Sequence, residues 1–213
     1  MDDRFKVTRP LNMIVAMSSE ARPLVRYFNL LLQESTPFPL YTNSNENLQL
    51  TVSGIGKRRA FDALKYLTQL PKYADDSAWI NIGIAGHKNL PLGKCVLAHT
   101  VIDDSSGQKY HPILPADLPF PAVVVKTVAD PVNDYPDDCA YDMEAAGFYS
   151  FIRHHPSIPI QIVKIISDNS YYPTRTISNK FVTQLITNTL PQIDHLIQGL
   201  LQNEELSHHA HHF

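Results

Sequence analysis

Four acidic side chains stand where apolar runs of the sequence end, and acids in such positions can do proton chemistry. Glu20 follows the run LNMIVAMSS, Asp168 ends the run IQIVKIISD, and Asp142 and Glu144 lie close together in AYDMEAAGF. A buried carboxylic acid keeps its proton to higher pH and can donate it. An ionised carboxylate can instead take a proton from water or accept hydrogen bonds from hydroxyls. The sequence therefore offers an acid, a base and a hydroxyl-binding group, provided that the fold brings them together.

Six short β-rich runs predict the strands that would position these acids. Several are nearly continuous apolar runs, which suits strands buried on both faces of a sheet. The runs are LNMIVAM (11–17), LQLTVS (48–53), AWINIG (78–83), CVLAHTVI (95–102), AVVVKTV (122–128) and IQIVKIIS (160–167). Helical patterns at 19–33, 57–70, 143–155 and about 177–203 alternate with them, while 103–121 and 129–141 are typical of loops. We expect an α/β fold, with a central mixed, largely parallel sheet flanked by helices.

Length and composition predict one domain. The chain has 213 residues, of which 44% are hydrophobic, and this is enough for one sizeable core. No internal repeat or linker divides it, so we expect a single domain over 1–213 with flexible ends at 1–10 and 204–213. Four of the ten histidines lie in ELSHHAHHF near the end. Clustered histidines can bind metal, but an unstructured tail is the favoured interpretation.

Charge and apolar patterning exclude several classes of protein. The formal net charge of −3 leaves no basic footprint for nucleic acid, and no apolar run approaches the length of a membrane span. The stretch MDDRFKVTRP lacks the apolar region of a signal peptide. Cys95 and Cys139 form neither a metal-binding spacing nor a disulfide framework. We therefore expect a cytoplasmic protein that uses no metal or cofactor and binds neither nucleic acid nor membrane.

Two glycine-spaced turns follow predicted strands and lie where ligands usually bind in open α/β sheets, at the carboxyl ends of the strands. SGIGK (53–57) opens a predicted helix but lacks the third glycine of a dinucleotide fingerprint and the spacing of a phosphate loop. NIGIAGH (81–87) predicts, on its own, only a tight connection. The acids have ordinary interpretations too, because Glu20 and Asp142 would be favourable at helix N-termini. Each stretch alone is a weak functional signal.

Taken together, the ordered set AMSSE, SGIGK, NIGIAG, DMEA and ISD resembles the purine nucleoside phosphorylase and nucleosidase superfamily. The nearest branch looks like the methylthioadenosine/S-adenosylhomocysteine nucleosidases, and the correspondence runs from about residue 12 to residue 170. The resemblance implies a nucleoside phosphorylase-like fold. It also implies cleavage of the bond between ribose C1′ and a base nitrogen of a small-molecule nucleoside. Members of the family assemble as homodimers or larger homo-oligomers, which we expect here as well.

The resemblance also implies catalytic roles. Asp168 would serve as the acid to the purine N7, with Ser167 orienting it, and burial in the last apolar strand would favour the protonated acid. Glu20 would activate a water molecule. Glu144 would accept hydrogen bonds from the ribose hydroxyls and support positive charge near C1′ in the transition state.

Further substrate contacts follow from the same correspondence. Met143 would pack against the sugar, and Met17 and Ile55 would face the 5′ side of the ribose, although both could be core residues. The remaining implied contacts are Ala85, Gly86 and, through its backbone, Val132 in the loop ADPVND. Asp142 matches an acid that is usual in the nucleosidases, and helix capping is an equally good explanation for it.

The match departs from the family in three places. Ile84 stands where the nucleosidases usually carry a serine near the water. Lys164 replaces an arginine and keeps the charge without the planar donor fork. The segment between residue 103 and Asp142, which normally shapes the base pocket, is shorter here.

Three residues after the last apolar strand are further candidates for the pocket. Tyr171 and Tyr172 could form a wall of the pocket or a packed loop, and adjacent Asn169 could read purine position 6.

Three functions are compatible with these residues. Hydrolysis is favoured, because a fixed carboxylate at Glu20 would accept a proton from water but repel a phosphate dianion. A phosphate-dependent phosphorylase would need cations beside the nucleophile. The only candidates that the sequence provides for this role are Lys57, Arg58 and Lys164. A non-catalytic nucleoside-binding or storage protein of the same fold is the third alternative, since a fold does not guarantee activity.

Overall fold

The computed structural model describes residues 9–70, 77–115, 120–154, 159–174 and 177–202. These residues form ten strands of one mixed sheet and four helices. None of the described helices is long and apolar enough to cross a membrane. Most of the predicted flexible ends, with the histidine-rich stretch, lies outside the described residues. In chain order the elements are β1 (Leu11–Val15), α1 (Ser18–Tyr27), β2 (Leu31–Glu34), β3 (Leu40–Thr42), β4 (Leu48–Val52), α2 (Lys57–Leu67), β5 (Ala78–His87), β6 (Cys95–Asp103), β7 (Lys109–Tyr110), β8 (Ala122–Thr127), β9 (Ala140–Asp142), α3 (Ala145–Ile152), β10 (Ile160–Asp168) and α4 (Asn179–Gln202).

The sheet closes on itself around one long strand. β5 pairs in parallel with β10 along one edge, while its other edge pairs first with β1 and then, at Gly86 and His87, with β9. The pairings β10–β6, β6–β8 and β8–β9 complete a ring of five strands. From this ring β1, β4, β3 and β2 extend as an open sheet, and β7 is added to β6. The parallel strands β1, β4, β5 and β10 therefore present their carboxyl ends on one side of the molecule.

Helices cover both faces of the sheet, which explains why the apolar runs are nearly continuous. In β1, Leu11, Met13 and Val15 pack into a core shared with α1 and α4. Ile14 points to the opposite face and joins a second core with α2 and α3. Successive side chains of a strand alternate between faces, so a strand covered on both sides needs apolar residues at every position.

The predicted α/β fold with a mixed sheet is confirmed, and all six predicted strands are present. Among the described residues, five of the ten strand pairings are parallel, and these join the strands that carry the site. The structure adds four short strands, β2, β3, β7 and β9. The strands β7 and β9 lie wholly or partly inside the two segments that we predicted as loops.

The predicted helix at 19–33 is too long. The helix α1 ends at Tyr27, and Asn29 takes a positive φ of 52°, which turns the chain out of the helical direction. Leu31–Glu34 then forms the edge strand β2, whose leucines are largely exposed. An apolar run of this kind suits a helix or a strand equally, and the turn at Asn29 decides between them.

Candidate active site

A cavity of about 290 Å³ opens at the carboxyl ends of β1, β5 and β10. Residues from all five sequence motifs, AMSSE, SGIGK, NIGIAG, DMEA and ISD, line this cavity, although the motifs lie far apart along the chain. The residues to which the sequence analysis gives a catalytic or substrate-binding role line this cavity, with three exceptions described below: Met17, Glu20, Ile55, Ala85, Gly86, Val132, Met143, Glu144, Ser167 and Asp168. The chemical roles of these residues stay predictions, and the geometry below shows what each of them can do.

Glu20 is fixed by backbone hydrogen bonds from the turn after β1 and from β5. Its Oε2 accepts from the N–H groups of Ala16 and Met17, each at 2.9 Å, and its Oε1 accepts from the N–H of Ile84 at 3.0 Å. Burial raises the pKa of Glu20, against the opposing effect of these hydrogen bonds and the charge of Lys164. Ile84 therefore holds the carboxyl group of Glu20 through its backbone N–H, and Ile84 itself lines the cavity. The result is a buried carboxyl group at the start of α1, with both oxygens held by backbone N–H groups.

Asp142 caps a helix and also holds a buried lysine. Its Oδ2 accepts from the N–H groups of Ala145 at 2.8 Å and Glu144 at 3.2 Å, at the start of α3. The same oxygen lies 2.7 Å from Nζ of Lys164, and Thr127 donates to Oδ1 at 2.6 Å. The capping interpretation of Asp142 therefore holds together with a second function as the partner of Lys164. Burial alone would lower the pKa of Lys164, but Asp142 and Glu144 raise it.

Glu144 is held in the cavity by the glycine-rich turn before α2. Its Oε1 accepts from the N–H of Gly56 at 2.9 Å, so the backbone of SGIGK holds this carboxyl group in place. Burial, together with the nearby Asp142, raises the pKa of Glu144 to about 7, although Lys164 opposes the change. A carboxyl group with this pKa exchanges its proton near neutral pH.

Asp168, at the end of β10, lies in a cluster of hydroxyls. Ser167 donates to Oδ1, and Tyr135 and Thr174 donate to Oδ2, the latter at 2.6 Å. Each hydroxyl can donate or accept, so the cluster holds the carboxyl group in either protonation state. Burial and the hydrogen bond to Asp168 raise the pKa of Tyr135, which keeps this phenol protonated.

Tyr135 and Thr174 were missed by the sequence analysis. Tyr135 lies in the loop between β8 and β9, at a positive φ of 41°, and Thr174 follows β10. Neither belongs to a motif, and only the folded loop brings Tyr135 to β10. The glycine of NIGIAG makes room for this contact, since a Cβ on Gly86 would lie 2.6 Å from Tyr135 Cε1 and 2.7 Å from Asp168 Oδ2.

Three other candidates are not among the residues that line the cavity. Asn169 shapes a turn, because its Oδ1 accepts from the N–H groups of Tyr171 and Tyr172 and its Nδ2 donates to Leu90 O. Tyr171 and Tyr172 are 81% and 60% exposed. A wall formed by these tyrosines and a reading contact from Asn169 are therefore not part of the cavity lining.

Comparison with known proteins gives matches in structure alone. No protein-family model matches the chain, and no curated protein matches its sequence significantly. The chain aligns over 90% of its length with the whole 5′-methylthioadenosine/S-adenosylhomocysteine nucleosidase of Neisseria meningitidis, crystallised with methylthio-immucillin-A, at a TM-score of 0.73 and 18% identity. It aligns over 92% of its length with 97% of the 5′-methylthioadenosine nucleosidase of Arabidopsis thaliana, at 0.76 and 18% identity.

A third neighbour acts on a different compound. The futalosine hydrolase of Helicobacter pylori aligns over 90% of this chain and 98% of its own, at a TM-score of 0.69 and 13% identity. The chain therefore has the fold that these nucleosidases and the hydrolase share, which confirms the nucleoside phosphorylase-like fold that the resemblance in sequence predicted. At these identities the likeness establishes the fold, and the function has to be argued from the site.

Proposed function

We propose that this protein hydrolyses the N-glycosidic bond of a purine nucleoside. The observation that carries the proposal is the charge of the cavity. Among the described residues, every charged side chain that lines the cavity is an acid, namely Glu20, Asp142, Glu144 and Asp168. A site of this kind suits an uncharged nucleophile and a transition state with positive charge on the sugar.

The leaving base and the attacking water divide the proton transfers between two carboxyl groups. As the C1′–base bond breaks, Asp168 gives a proton to N7 of the purine, so that the base leaves neutral. Water adds its oxygen to C1′ and gives a proton to Glu20. Burial makes Glu20 a stronger base than an exposed glutamate, and its three backbone hydrogen bonds fix its direction.

Glu144 supports the sugar. One carboxylate oxygen is engaged by the N–H of Gly56, and the carboxylate faces the cavity beside Met143. In the ionised form it accepts hydrogen bonds from the 2′- and 3′-hydroxyls, and its negative charge stabilises the oxocarbenium-like transition state. Lys164 pairs with Asp142 at the start of α3, and Asp142 accepts from the N–H of Glu144 and so fixes its backbone.

The same charge distribution counts against phosphorolysis. A phosphate dianion in the cavity would meet Glu20 without a cation in the described lining to balance it. The buried Lys164 is already engaged with Asp142 at 2.7 Å and with Asn81 Oδ1 at 2.8 Å. Neighbours of the same fold are named as nucleosidases and a hydrolase, which agrees with water as the nucleophile.

The test is release of free base from methylthioadenosine, S-adenosylhomocysteine, adenosine, inosine and 5′-deoxyadenosine, each with and without phosphate. We expect release without phosphate and no stimulation when phosphate is added. Release that requires phosphate would overturn hydrolysis in favour of phosphorolysis. Binding of these nucleosides by a folded protein, with no release from any of them, would instead support the non-catalytic alternative.

A further inference from the structure

His87 ends the motif NIGIAGH and has no part in the reaction proposed above. It is the last residue of β5 and is 5% exposed. Its Nδ1 accepts hydrogen bonds from two backbone N–H groups, those of Asn89 at 3.1 Å and Leu90 at 3.3 Å. Because Nδ1 accepts, the proton of the neutral ring lies on Nε2. The ring of His87 therefore closes the turn that follows β5, and it does so in its neutral form.

This turn is joined to the chain directly behind Asp168. Leu90 O accepts from Nδ2 of Asn169 at 2.9 Å, and Lys88 O accepts from the N–H of Ser170 at 3.4 Å. Asn169 is buried and follows Asp168 in the sequence. The turn after β5 therefore holds the chain at the point where it leaves β10.

Two sets of contacts lead from His87 to the carboxyl group of Asp168. Through the loop, Oδ1 of Asn169 closes the next turn, and the chain then reaches Thr174, which donates to Asp168 Oδ2 at 2.6 Å. Along β5, His87 directly follows Gly86, where an added Cβ would lie 2.7 Å from the same oxygen. A displacement of His87 should therefore move the groups that orient Asp168.

Protonation of His87 would break this arrangement. Both nitrogens of the charged ring donate, so Nδ1 would carry a hydrogen against the two N–H groups that it now binds. Burial lowers the pKa of His87 from its usual 6.5, and the charge of Asp138, whose Oδ1 lies 3.8 Å from Nε2, opposes the change. The other titratable groups beside His87, along the chain or on the paired strands, are Lys88, Cys139, Tyr141 and Asp168. The folded protein thus favours the neutral ring.

We propose that His87 is a positioning residue for Asp168, which its neutral ring holds in place through the turn after β5 and which its protonation releases. This inference rests on the proposed function, in which Asp168 gives a proton to the base. His87 lies outside the described lining of the cavity and acts through its neighbours. Base release should therefore depend on pH through a histidine that does not touch the substrate.

Two exchanges separate the acceptor from the titration. His87→Asn puts an amide oxygen at the place of Nδ1, which can accept from the same N–H groups but cannot be protonated. Asn169 already closes its own turn in this way, with bonds from the N–H groups two and three residues on. His87→Phe keeps a ring and removes the acceptor. At pH 8 we expect kcat for base release within about twofold of native for His87→Asn and about tenfold lower for His87→Phe, with KM little changed.

The ratio of kcat between the native protein and His87→Asn isolates the histidine, because the carboxyl groups of the cavity titrate in both. We expect a ratio near one at pH 8 and a fall of about tenfold for each pH unit below the pKa of His87, which lies under 6.5. Asp138→Asn, compared with His87→Asn in the same way, should show this fall at lower pH, because it removes the charge that favours the protonated ring. His99→Asn, an exposed exchange on β6, is the matched control and should match the native protein at every pH.

Nuclear magnetic resonance supplies a measurement that does not depend on turnover. As the pH is lowered from 8, the side-chain amide signal of Asn169 should shift together with the ring of His87, and His87→Asn should abolish this shift. An Asn169 signal that does not follow His87, a kcat ratio that is constant with pH, or normal kcat in His87→Phe would overturn the inference while hydrolysis stands. If no nucleoside is cleaved at any pH, hydrolysis fails, and the Asn169 signal alone decides whether His87 holds the loop.

Discussion

At the scale of single residues, the carboxyl groups of the cavity are held by two different kinds of hydrogen-bond partner, backbone N–H groups and hydroxyls. Glu20 is held by backbone N–H groups, Glu144 by the N–H of Gly56, and Asp168 by three hydroxyls. Backbone N–H groups can only donate and so favour the ionised carboxylate, whereas hydroxyls serve either protonation state. The partners alone therefore suit Glu20 and Glu144 to accept hydrogen bonds or protons, and Asp168 to hold and release one.

The exchange Asp168→Asn tests the proton donor. Asparagine keeps the size and can still contact Ser167 and Thr174, but it cannot give a proton to the base. We expect kcat for base release to fall by about 10²–10⁴ while the melting temperature stays within a few degrees. Asp134→Asn, an exposed change in the β8–β9 loop, is the control and should have normal kcat. Near-normal turnover in Asp168→Asn would remove this residue as the acid.

The exchange Tyr135→Phe tests a positioning residue. Phenylalanine keeps the ring that packs at Gly86 and removes the hydroxyl that contacts Asp168. Loss of the hydrogen bond that orients the Asp168 carboxyl group corresponds to about a tenfold fall in kcat, with KM and melting temperature little changed. If Tyr135 only fills space, kcat should be normal, and if it only stabilises the fold, the melting temperature should fall while kcat does not.

At the scale of elements, the site depends on contacts that no local pattern predicts. The six long strands and the acids at their ends could be predicted, because apolar periodicity and strand ends are local features of the sequence. The strand β9 could not, since three residues in a polar segment carry no periodic signal. Tyr135 was missed for the same reason, because its contact with Asp168 requires the loop between β8 and β9 to close over β5. Gly86, which lies next to Tyr135 in the structure, could be predicted as a site residue because it belongs to the glycine-spaced motif NIGIAG.

The packing of α3 on α2 depends on Gly147. A Cβ at this position would lie 1.9 Å from Lys57 O, so Gly147→Ala must push apart the two helices. We expect a loss of about 1–3 kcal/mol in the free energy of unfolding, measured by urea denaturation. The matched control is Gly199→Ala in α4, where nothing lies within 4 Å of the added Cβ. Removal of a glycine from that helix should stabilise the protein by up to about 1 kcal/mol.

The same helix contact couples stability to activity. Lys57 follows Gly56, whose N–H holds Glu144, and Glu144 immediately precedes α3. Separation of the two helices should therefore raise KM as well as lower stability. An alanine at Gly147 that leaves both quantities unchanged would contradict the close packing of α2 and α3.

At the scale of the whole molecule, the closed ring of strands brings three acids around one lysine. Lys164 on β10 is fully buried beside Asp142 and also interacts with Glu20 and Glu144. One cation cannot balance three anions, so the folded protein retains a proton on this set to higher pH than the unfolded chain does. Burial raises the pKa of both Glu20 and Glu144, and for Glu144 the neighbouring acids Asp142 and Glu20 add to the rise that Lys164 opposes. Stability as a function of pH should therefore report on the site.

The direction of that dependence follows from Glu144. A glutamate side chain has a pKa of 4.5 in the unfolded chain, and burial raises the pKa of Glu144 to about 7 in the folded protein. Between these two pH values the folded protein therefore binds more protons than the unfolded chain. Stability from this group is fully present below pH 4.5 and is lost as the pH rises through about 7. Glu144→Gln cannot ionise and should remove that loss, giving a stability about 1–3 kcal/mol higher than the native protein at pH 8 but not at pH 5. Urea denaturation at both pH values measures the difference in the free energy of unfolding between Glu144→Gln and the native protein. The same difference at both pH values would show that the exchange acts through packing and that protonation of Glu144 does not contribute to stability.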